Sequence, residues 1–306
     1  MFLDRITDGG WILAIRERSA GKELFQGNTQ RPFKIVRNPW RYWCADPFIV
    51  ERDGKTYIFC EAFDILKDRG ILAYRSIGKN GRIGRLKPCL DIGSHLSYPN
   101  VFCHNDKMYM IPESGSIDEV TVYEATYFPT TWQKKTVLLS HISACDTNIL
   151  EHNGSAYLLT LVFDKTQRPY VYDKMFIFKW DGKAFVPCST KPAVEDSCTA
   201  RNAGNLFYSD KKLYRVSQNC KNLYGESISF HQILTLNDSC YQETTVSKIT
   251  VGDIHVNSQK SFDGIHTYNL SSRYEIIDLQ RKKWFRIERL IYLLICKVRR
   301  FLPSKH

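Results

Sequence analysis

Apolar and polar positions along the chain repeat one pattern five times. Each copy has an apolar run, a turn of Asn, Asp, Gly or Ser, and a second apolar run centred on a tyrosine. This pattern is typical of a β-hairpin. The copies cover residues 46–61, 98–113, 146–161, 203–218 and 263–278, and they start 48–60 residues apart. Hairpin repeats at this period predict the blades of a β-propeller.

Other apolar runs supply the outer strands of the blades. Third strands are predicted at 70–76, 119–125, 174–180 and 227–234. The fifth copy ends at Asp278 without outer strands, and the N-terminal segment 9–21 resembles segment 69–81, the third strand of the first copy. With 32–36 as a fourth strand, it can complete the last blade. We expect one all-β domain over residues 1–280, a five-bladed β-propeller closed by its N-terminal strands, which leaves no exposed sheet edge.

The net charge of +11 is concentrated at the C-terminus. Residues 281–306 hold nine Lys and Arg residues against one acid, Glu288, so the other 280 residues carry only +3. This distribution does not favour a nucleic-acid groove. The segment spaces its apolar residues as a helix does, and its uncharged run is far shorter than the ~20 residues of a membrane span. We expect a basic amphipathic C-terminal helix on an anionic membrane surface, with a helix docked on the protein itself as the alternative.

The positions of the cysteines and the N-terminal sequence predict the cellular compartment of the protein. None of the ten cysteines forms a C-x-x-C pair, and several lie inside apolar runs, where a thiol packs as a small hydrophobe. The first residues have acids where a signal peptide needs a basic start and an unbroken apolar core. We therefore expect free thiols and a cytoplasmic protein, peripheral on the inner face of the cytoplasmic membrane.

The hairpins predict a ring of carboxylates. The first residue of one strand and the last residue of its antiparallel partner lie at the same end, and innermost strands line the channel of a propeller. The predicted rim pairs are Asp46 and Glu61, Tyr98 and Glu113, Asp146 and Leu161, Ala203 and Gln218, and Asp263 and Asp278. Six of these ten positions are acidic. Any one acid is explained by turn capping, whereas six around one channel indicate a functional site.

Four other residues are rim candidates with structural alternatives. Arg201 precedes the fourth copy, and it is either a ligand contact or a counter-ion of the carboxylates. Tyr224 follows that copy, and His266 lies in the fifth copy, where a core histidine is the alternative. Trp43 precedes the first copy, and its ring either stacks on a sugar or packs against the strands of blade one.

Paired carboxylates at a channel mouth predict sugar chemistry. Glycoside cleavage needs one acid and one base on opposite sides of the anomeric carbon, roughly 5 to 9.5 Å apart. Oxygen ligands also suit a divalent cation, which the sequence leaves open as a cofactor. Patterns of P-loop, dinucleotide-binding, serine-hydrolase and zincin sites do not occur in the chain.

Several motifs resemble a known family. The stretches WRYWCADPFIVERDGKTYIFCEAF, LSYPNVFCHNDKMYMIPES, ARNAGNLF and GIHTYN are similar to the N-terminal domain of plant glucosamine inositolphosphorylceramide transferases and to bacterial proteins of surface-polysaccharide loci. That domain is in turn similar to five-bladed furanosidase propellers. The resemblance implies a carbohydrate-active site, with Asp46 as base, Asp146 as modulator of pKa and Glu113 as acid.

We therefore expect a glycosyltransferase of bacterial surface polysaccharide (lipopolysaccharide or capsule) biosynthesis. Asp46 or Asp146 would activate the hydroxyl of a glycan or glycolipid acceptor, with Arg201 and His266 near the phosphate of a sugar donor. The predicted substrate-binding residues are Trp43, Glu61, Tyr98, Arg201, Gln218, Tyr224, Asp263 and His266. A glycoside hydrolase with Glu113 as acid and a non-catalytic glycan-binding propeller are the alternatives.

Overall fold

The structure is a computed structural model. It describes residues 7–8, 10–114, 117–168, 170–258, 261–281, 284–285, 291 and 294. These residues form five antiparallel blades and one additional strand pair. The prediction of a five-bladed all-β propeller is thereby confirmed.

The strands follow the predicted order. The chain starts with β1 (Thr7–Asp8), β2 (Trp11–Glu17), a 3₁₀ turn (Leu24–Gln26) and β3 (Lys34–Val36). Blade one contains β4 (Tyr42–Arg52), β5 (Lys55–Asp64), β6 (Arg69–Ile77) and β7 (Lys87–Leu90). Blade two contains β8 (Ser97–His104), β9 (Lys107–Glu113), β10 (Glu119–Tyr127) and β11 (Thr131–Ser140).

The second half continues in the same way. Blade three contains β12 (Ala144–His152), β13 (Ser155–Val162), β14 (Lys174–Trp180), β15 (Phe185–Pro187) and β16 (Val194–Glu195). Blade four contains β17 (Arg201–Asn202), β18 (Phe207–Ser209), β19 (Lys212–Asn219), β20 (Ser227–Leu236) and β21 (Tyr241–Thr250), followed by a 3₁₀ turn (Val251–Asp253). The last strands are β22 (Phe262–Gly264), β23 (Tyr268–Leu270), β24 (Tyr274–Arg281) and β25 (Trp284–Phe285).

The N-terminal strands close the ring as predicted. Strand β2 pairs antiparallel with β24, from Trp11 opposite Gln280 to Glu17 opposite Tyr274, and β3 pairs with β2. Blade five is thus built from both ends of the propeller, in the order β22/β23, β24, β2, β3. Closure pairs the edge that β24 would otherwise expose.

The hydrophobic core lies largely between neighbouring blades. Phe48 and Phe59 of blade one pack with Tyr98 and Met110 of blade two. Near the axis, polar contacts between blades replace apolar ones. Four buried asparagines of the innermost strands donate hydrogen bonds of 2.8–3.1 Å to backbone carbonyl groups of an adjacent blade. They are Asn100 to Thr147, Asn148 to Gly204, Asn202 to Asp146 and Asn269 to Pro47. These bonds hold the blades in register around the channel.

Three innermost strands bulge at the same level. The pairing register shifts between Ala45 and Phe48, between Ser97 and Asn100, and between Cys145 and Asn148. Inside these bulges Asp46, Tyr98 and Asp146 have φ values of 48°, 45° and 50°. A left-handed backbone conformation at a non-glycine residue is strained, and residues with such strain are common at functional sites.

The predicted C-terminal helix lies mostly outside the described residues. Arg281 ends β24, and Trp284–Phe285 pairs with Thr7–Asp8, so any helix starts after residue 285 rather than at 281. Ile291 and Leu294 are helical and exposed. Within the described part of the chain, no helix has the length and apolar character to cross a bilayer.

Candidate active site at the channel mouth

Five carboxyl groups from four blades meet at one end of the channel. Each lies at or next to the end of an innermost hairpin: Asp46 and Glu61 (blade one), Glu113 (blade two), Asp146 (blade three) and Asp278 (blade five). Four of the five residues are buried and Glu113 is nearly so, with 15% of its side chain exposed. The predicted convergence of acids at a shared mouth is therefore what the structure shows.

One half of the mouth is a histidine held between two carboxylates. His266 Nδ1 lies 2.7 Å from Asp278 Oδ2, and its Nε2 lies 3.3 Å from Asp46 Oδ1. Trp11 stacks on the imidazole with ring centroids 3.8 Å apart. Asp46 also accepts hydrogen bonds from the Tyr98 backbone N–H and the Thr267 hydroxyl. The Asp46 carboxylate is thereby fixed in one orientation.

The other half is an arginine between two acids. Arg201 Nε donates to Asp146 Oδ2 at 2.5 Å, and its Nη2 lies 3.8 Å from Glu113 Oε2. Gln218, opposite Arg201 across the blade-four strand pair, donates a second hydrogen bond to Asp146 at 3.3 Å. Asp146 is thus compensated by a cation, whereas Glu113 has no close hydrogen bond at Oε2 among the described residues.

Burial gives these acids different proton affinities. Burial, with the charge of Asp146 added, raises the pKa of Glu113 well above its usual value. Burial, opposed by the charge of His266 and supported by Asp278, raises the pKa of Asp46 to about 6. Glu113, whose pKa is raised, is therefore the candidate general acid, and Asp46 is the candidate general base at the same mouth.

The surroundings of His266 favour its charged form. Burial lowers the pKa of its imidazole, but the carboxylates of Asp278 and Asp46 outweigh that effect and raise the pKa above its usual value. The imidazolium then faces an anion on either side. Its charge stabilises the ionised form of Asp46.

Aromatic side chains form two walls of the mouth. On the blade-one side the rings of Trp43 and Phe63 stack with centroids 4.5 Å apart and an interplanar angle of 4°. On the other side the guanidinium of Arg201 lies over the rings of Tyr172 and Tyr224, at 4.7 and 5.1 Å from the centroids. Aromatic faces of this kind pack against the apolar faces of sugar rings.

Two sets of donor atoms at the mouth are close enough to be considered as metal ligands. The first is Asp46, His266 and Asp278, and the second is Glu113, Cys145 and Asp146, each within 4.8 Å. In the first set both ring nitrogens of His266 already contact carboxylates. In the second, burial raises the pKa of Glu113 and of the Cys145 thiol. Metal ligands must be deprotonated, so a cation at the second set would have to displace the protons of Glu113 and Cys145.

The structure corrects the predicted substrate-binding role of two residues, Tyr98 and Asp263. Tyr98 is fully buried, its ring packs on Phe48, and its hydroxyl hydrogen-bonds Gly204 N and O at 2.9 Å across the channel. It closes the channel below the mouth and cannot bind substrate there. Asp263 is exposed, because the blade-five strand bends earlier than a constant hairpin length predicts, and Thr267 takes the place opposite Asp278.

The expectation for the two cations is also corrected. Arg201 and His266 were expected near a donor phosphate, but both are already held by carboxylates. The counter-ion alternative for Arg201 is therefore the one that the structure supports. Trp43, Glu61, Gln218 and Tyr224 do lie at the mouth.

Sequence reasoning missed three residues of the site. Trp11 stacks on His266, His95 lies 3.6 Å from Glu61, and Tyr172 stacks under Arg201. Trp11 could have been predicted at the site, because the predicted third strand 9–21 of blade five starts at the rim of the channel. His95 and Tyr172 lie in connections outside the repeated hairpins, where the repeat carries no information.

Comparison with known proteins identifies relatives in sequence. Residues 37–287 match the family described as glucosamine inositolphosphorylceramide transferase 1, N-terminal. The glucosamine inositolphosphorylceramide transferase 1 of Arabidopsis thaliana is 32% identical over 213 residues, covering 66% of this chain and 27% of the relative. The protein of that name from Oryza sativa subsp. indica is 27% identical over 244 residues, covering 78% of this chain and 31% of the relative. The chain thus spans under a third of the length of these relatives.

Solved structures share the fold at low sequence identity. The catalytic domain of the Coprinopsis cinerea GH62 α-L-arabinofuranosidase aligns with a TM-score of 0.56 and 10% identity, covering 77% of this chain and 90% of that one. A family 117 glycoside hydrolase of Zobellia galactanivorans, Zg3597, aligns with a TM-score of 0.54 and 10% identity, covering 89% and 92%. At these identities the likeness concerns the fold alone.

Proposed function

The chain belongs to the family of the glucosamine inositolphosphorylceramide transferase 1 N-terminal domain, and we propose that its channel mouth is an active site for glycosyl transfer. The observation that carries the proposal is the pair of carboxyl groups whose pKa values burial raises, Glu113 and Asp46, at a mouth walled by aromatic rings. The relatives are named as transferases, which favours transfer to an acceptor hydroxyl.

The proposed reaction moves two protons. As the bond from the anomeric carbon to the leaving oxygen breaks, Glu113 gives that oxygen its proton. As the bond from the acceptor oxygen to the anomeric carbon forms, Asp46 takes the proton of the acceptor hydroxyl. The oxocarbenium-like transition state gains positive charge, and the carboxylate of Asp146 lies beside Glu113 to stabilise it.

The two cations of the site act through the carboxylates. Arg201 donates a hydrogen bond to Asp146, and burial together with the charge of Asp146 raises the pKa of Glu113. His266 orients Asp46 and favours its ionised form. A donor with a neutral leaving oxygen suits this mouth better than a nucleotide sugar, because Arg201 and His266 are both held by carboxylates.

We place the acceptor at a membrane surface, as a glycolipid of bacterial surface polysaccharide assembly. The relatives are named for inositolphosphorylceramide, and residues 281–306 carry nine Lys and Arg residues against one acid. Basic residues near an anionic leaflet each add about 1 kcal/mol of attraction. A position on the inner face of the cytoplasmic membrane is part of this proposal.

The test compares leaving groups in two variants. Glycosides with good (nitrophenyl) and poor (alkyl) leaving groups are incubated with a glycolipid acceptor and with wild type, Glu113→Gln or Asp46→Asn. Glu113→Gln is expected to lower turnover of the alkyl glycoside about 10²–10⁴-fold and to spare the nitrophenyl glycoside, which needs no acid. Asp46→Asn is expected to lower turnover of both. Asp263→Asn, an exposed acid outside the site, is the control.

Three outcomes would contradict the proposal. Equal turnover by wild type and both variants removes Glu113 and Asp46 from the chemistry. Release of sugar to water at the same rate with and without acceptor assigns the site to hydrolysis. Saturable glycan binding without turnover of any donor in the panel assigns it to a binding propeller.

A further inference from the structure

Three contacts from blade four hold Asp146 at the mouth. Arg201 and Gln218 donate hydrogen bonds to its carboxylate, and the side chain of Asn202 donates one of 2.8 Å to its backbone carbonyl. Strand β17 consists of Arg201 and Asn202, and Gln218 lies opposite Arg201 on β19. Asp146 itself has a left-handed φ of 50°, a conformation that persists only where surrounding contacts hold it. The position of β17 therefore determines the position of the Asp146 carboxylate.

A strand of two residues needs support from outside itself, and Arg215 of β19 provides it. The Nη1 atom of Arg215 donates to Asn202 Oδ1 at 3.3 Å, and its Nη2 donates to the backbone carbonyl of Thr199 at 2.8 Å. Because a guanidinium only donates hydrogen bonds, Oδ1 of Asn202 must face Arg215 and Nδ2 must face Asp146. One guanidinium thus holds β17 by a side chain of the strand and by the segment that precedes it.

Glu243 of β21 keeps this guanidinium in place. Arg215 Nε donates to Glu243 Oε2 at 2.8 Å, and Nη2 donates to Oε1 at 2.5 Å. The side chain of Arg215 is fully buried, and that of Glu243 is 11% exposed. Burial opposes the ionisation of Glu243, but the charge and hydrogen bonds of Arg215 outweigh it and lower the pKa of the carboxyl. The two side chains therefore form a buried ion pair inside blade four.

Stability alone does not account for this ion pair. Replacing a buried pair by apolar side chains of similar volume is often neutral or stabilising, because the cost of desolvating two charges offsets their attraction. The pair does make directional bonds, from Arg215 to Thr199 and Asn202, and these lead to the innermost strand of the blade. Its contacts thus favour a role in the geometry of the mouth.

We propose that Arg215, held by Glu243, is a positioning residue that fixes Asp146 at the channel mouth through Asn202 and strand β17. The inference rests on the proposed function, because it takes Asp146 to be a group of the active site. Without the guanidinium, Asn202 loses the partner of its Oδ1 atom and residues 199–202 lose their anchor. The strand and the carboxylate that it holds then gain freedom.

Hydrogen exchange at the Nε–H of Arg201 tests this role without any substrate. This group donates to Asp146, so its exchange rate measures how often the contact opens. Combining Arg215→Met with Glu243→Leu leaves no unpaired charge of the pair buried, and the fold is expected to persist. The Arg201 signal, assigned with Arg201→Lys, should exchange about 3–10-fold faster than in wild type, which is the effect of about one hydrogen bond.

A matched ion pair in blade five provides the control. Arg16 Nε lies 2.8 Å from Glu275 Oε2, with side chains 3% and 0% exposed, and the pair lies toward the end of β2 that is away from the mouth. Combining Arg16→Met with Glu275→Leu should leave the Arg201 rate unchanged. Equal acceleration in both variants, an unchanged rate in the blade-four variant, or an unprotected Arg201 Nε–H in wild type overturns the proposal.

Wild type alone suffices if either variant fails to fold. In urea below the unfolding transition, the Nε–H groups of Arg201 and Arg215 should exchange with the same urea dependence, because one opening frees both. Exchange of Arg201 that is independent of urea while Arg215 stays protected would refute the role. The proposed transfer is judged separately, since turnover that depends on Glu113 and Asp46 would stand with an unchanged Arg201 rate.

Discussion

Replacing Asp46 by Asn should change how the stability of the propeller depends on pH. Burial raises the pKa of this carboxyl from 3.8 to about 6, against the attraction of His266. Because the folded pKa is the higher one, the folded protein keeps this proton at pH values where the unfolded chain has lost it. The group thus favours the folded state below about pH 4, and this contribution is lost as the pH rises through about 6.

The magnitude follows from the size of the shift. A difference of about two pKa units corresponds to about 3 kcal/mol over the whole pH range, of which about 1 kcal/mol falls between pH 5 and pH 8. The raised pKa of His266 has the same sign, and it depends partly on the Asp46 carboxylate. Losing Asp46 therefore removes pH dependence from both groups.

Urea unfolding at pH 5 and pH 8 measures the effect. Wild type should lose about 1 kcal/mol more stability than Asp46→Asn between pH 5 and pH 8, so the variant gains relative stability at pH 8. Asp263→Asn controls for the change of one acid to an amide. The same difference between wild type and Asp46→Asn at both pH values would refute the reasoning, because it would mean that Asp46 is not titrating against its burial.

Three further outcomes are expected. Tyr98→Phe should destabilise the fold by about 1–3 kcal/mol in urea unfolding, because the Gly204 N–H loses its buried acceptor; a cost below about 0.5 kcal/mol would contradict this. Arg201→Met should cost about 3–5 kcal/mol in the same assay, since Asp146 becomes an uncompensated buried charge; unchanged stability would contradict it. Deleting 286–306 should abolish sedimentation with anionic vesicles but not with neutral ones, and retained binding would remove the membrane proposal.

The propeller could be predicted because its pattern is local and repeated. Each hairpin carries its own alternation and turn, and the closing segment 9–21 resembles segment 69–81. Four outer strands occur where apolar runs predicted them. Fold closure then follows from the need to pair the exposed edge of β24.

The site could be predicted in part, by the same logic. Asp46, Glu61, Glu113 and Asp146 meet because equivalent hairpin ends meet at one rim. The alignment failed at Asp263, since it assumed a constant hairpin length and the blade-five hairpin is shorter.

The errors at single side chains have a different origin. Rim position alone does not say whether a side chain points up to solvent or down into the channel. Tyr98 points down, to Gly204 on the far side. The pairing of His266 with Asp46 and Asp278 depends on contacts between strands of blades one and five, which no local pattern reveals.

Carbon-detected NMR titration of the carboxyl groups tests the central claim most directly. In protein labelled at Asp and Glu carboxyl carbons, with Asp46→Asn and Glu113→Gln for assignment, the Asp46 signal should titrate near pH 6. The carboxyl group of Glu113 should titrate well above the usual range of a glutamate, because burial and the charge of Asp146 raise its pKa. Titration of both carboxyl groups near pH 4, as in free side chains, would contradict an acid and a base poised at the channel mouth.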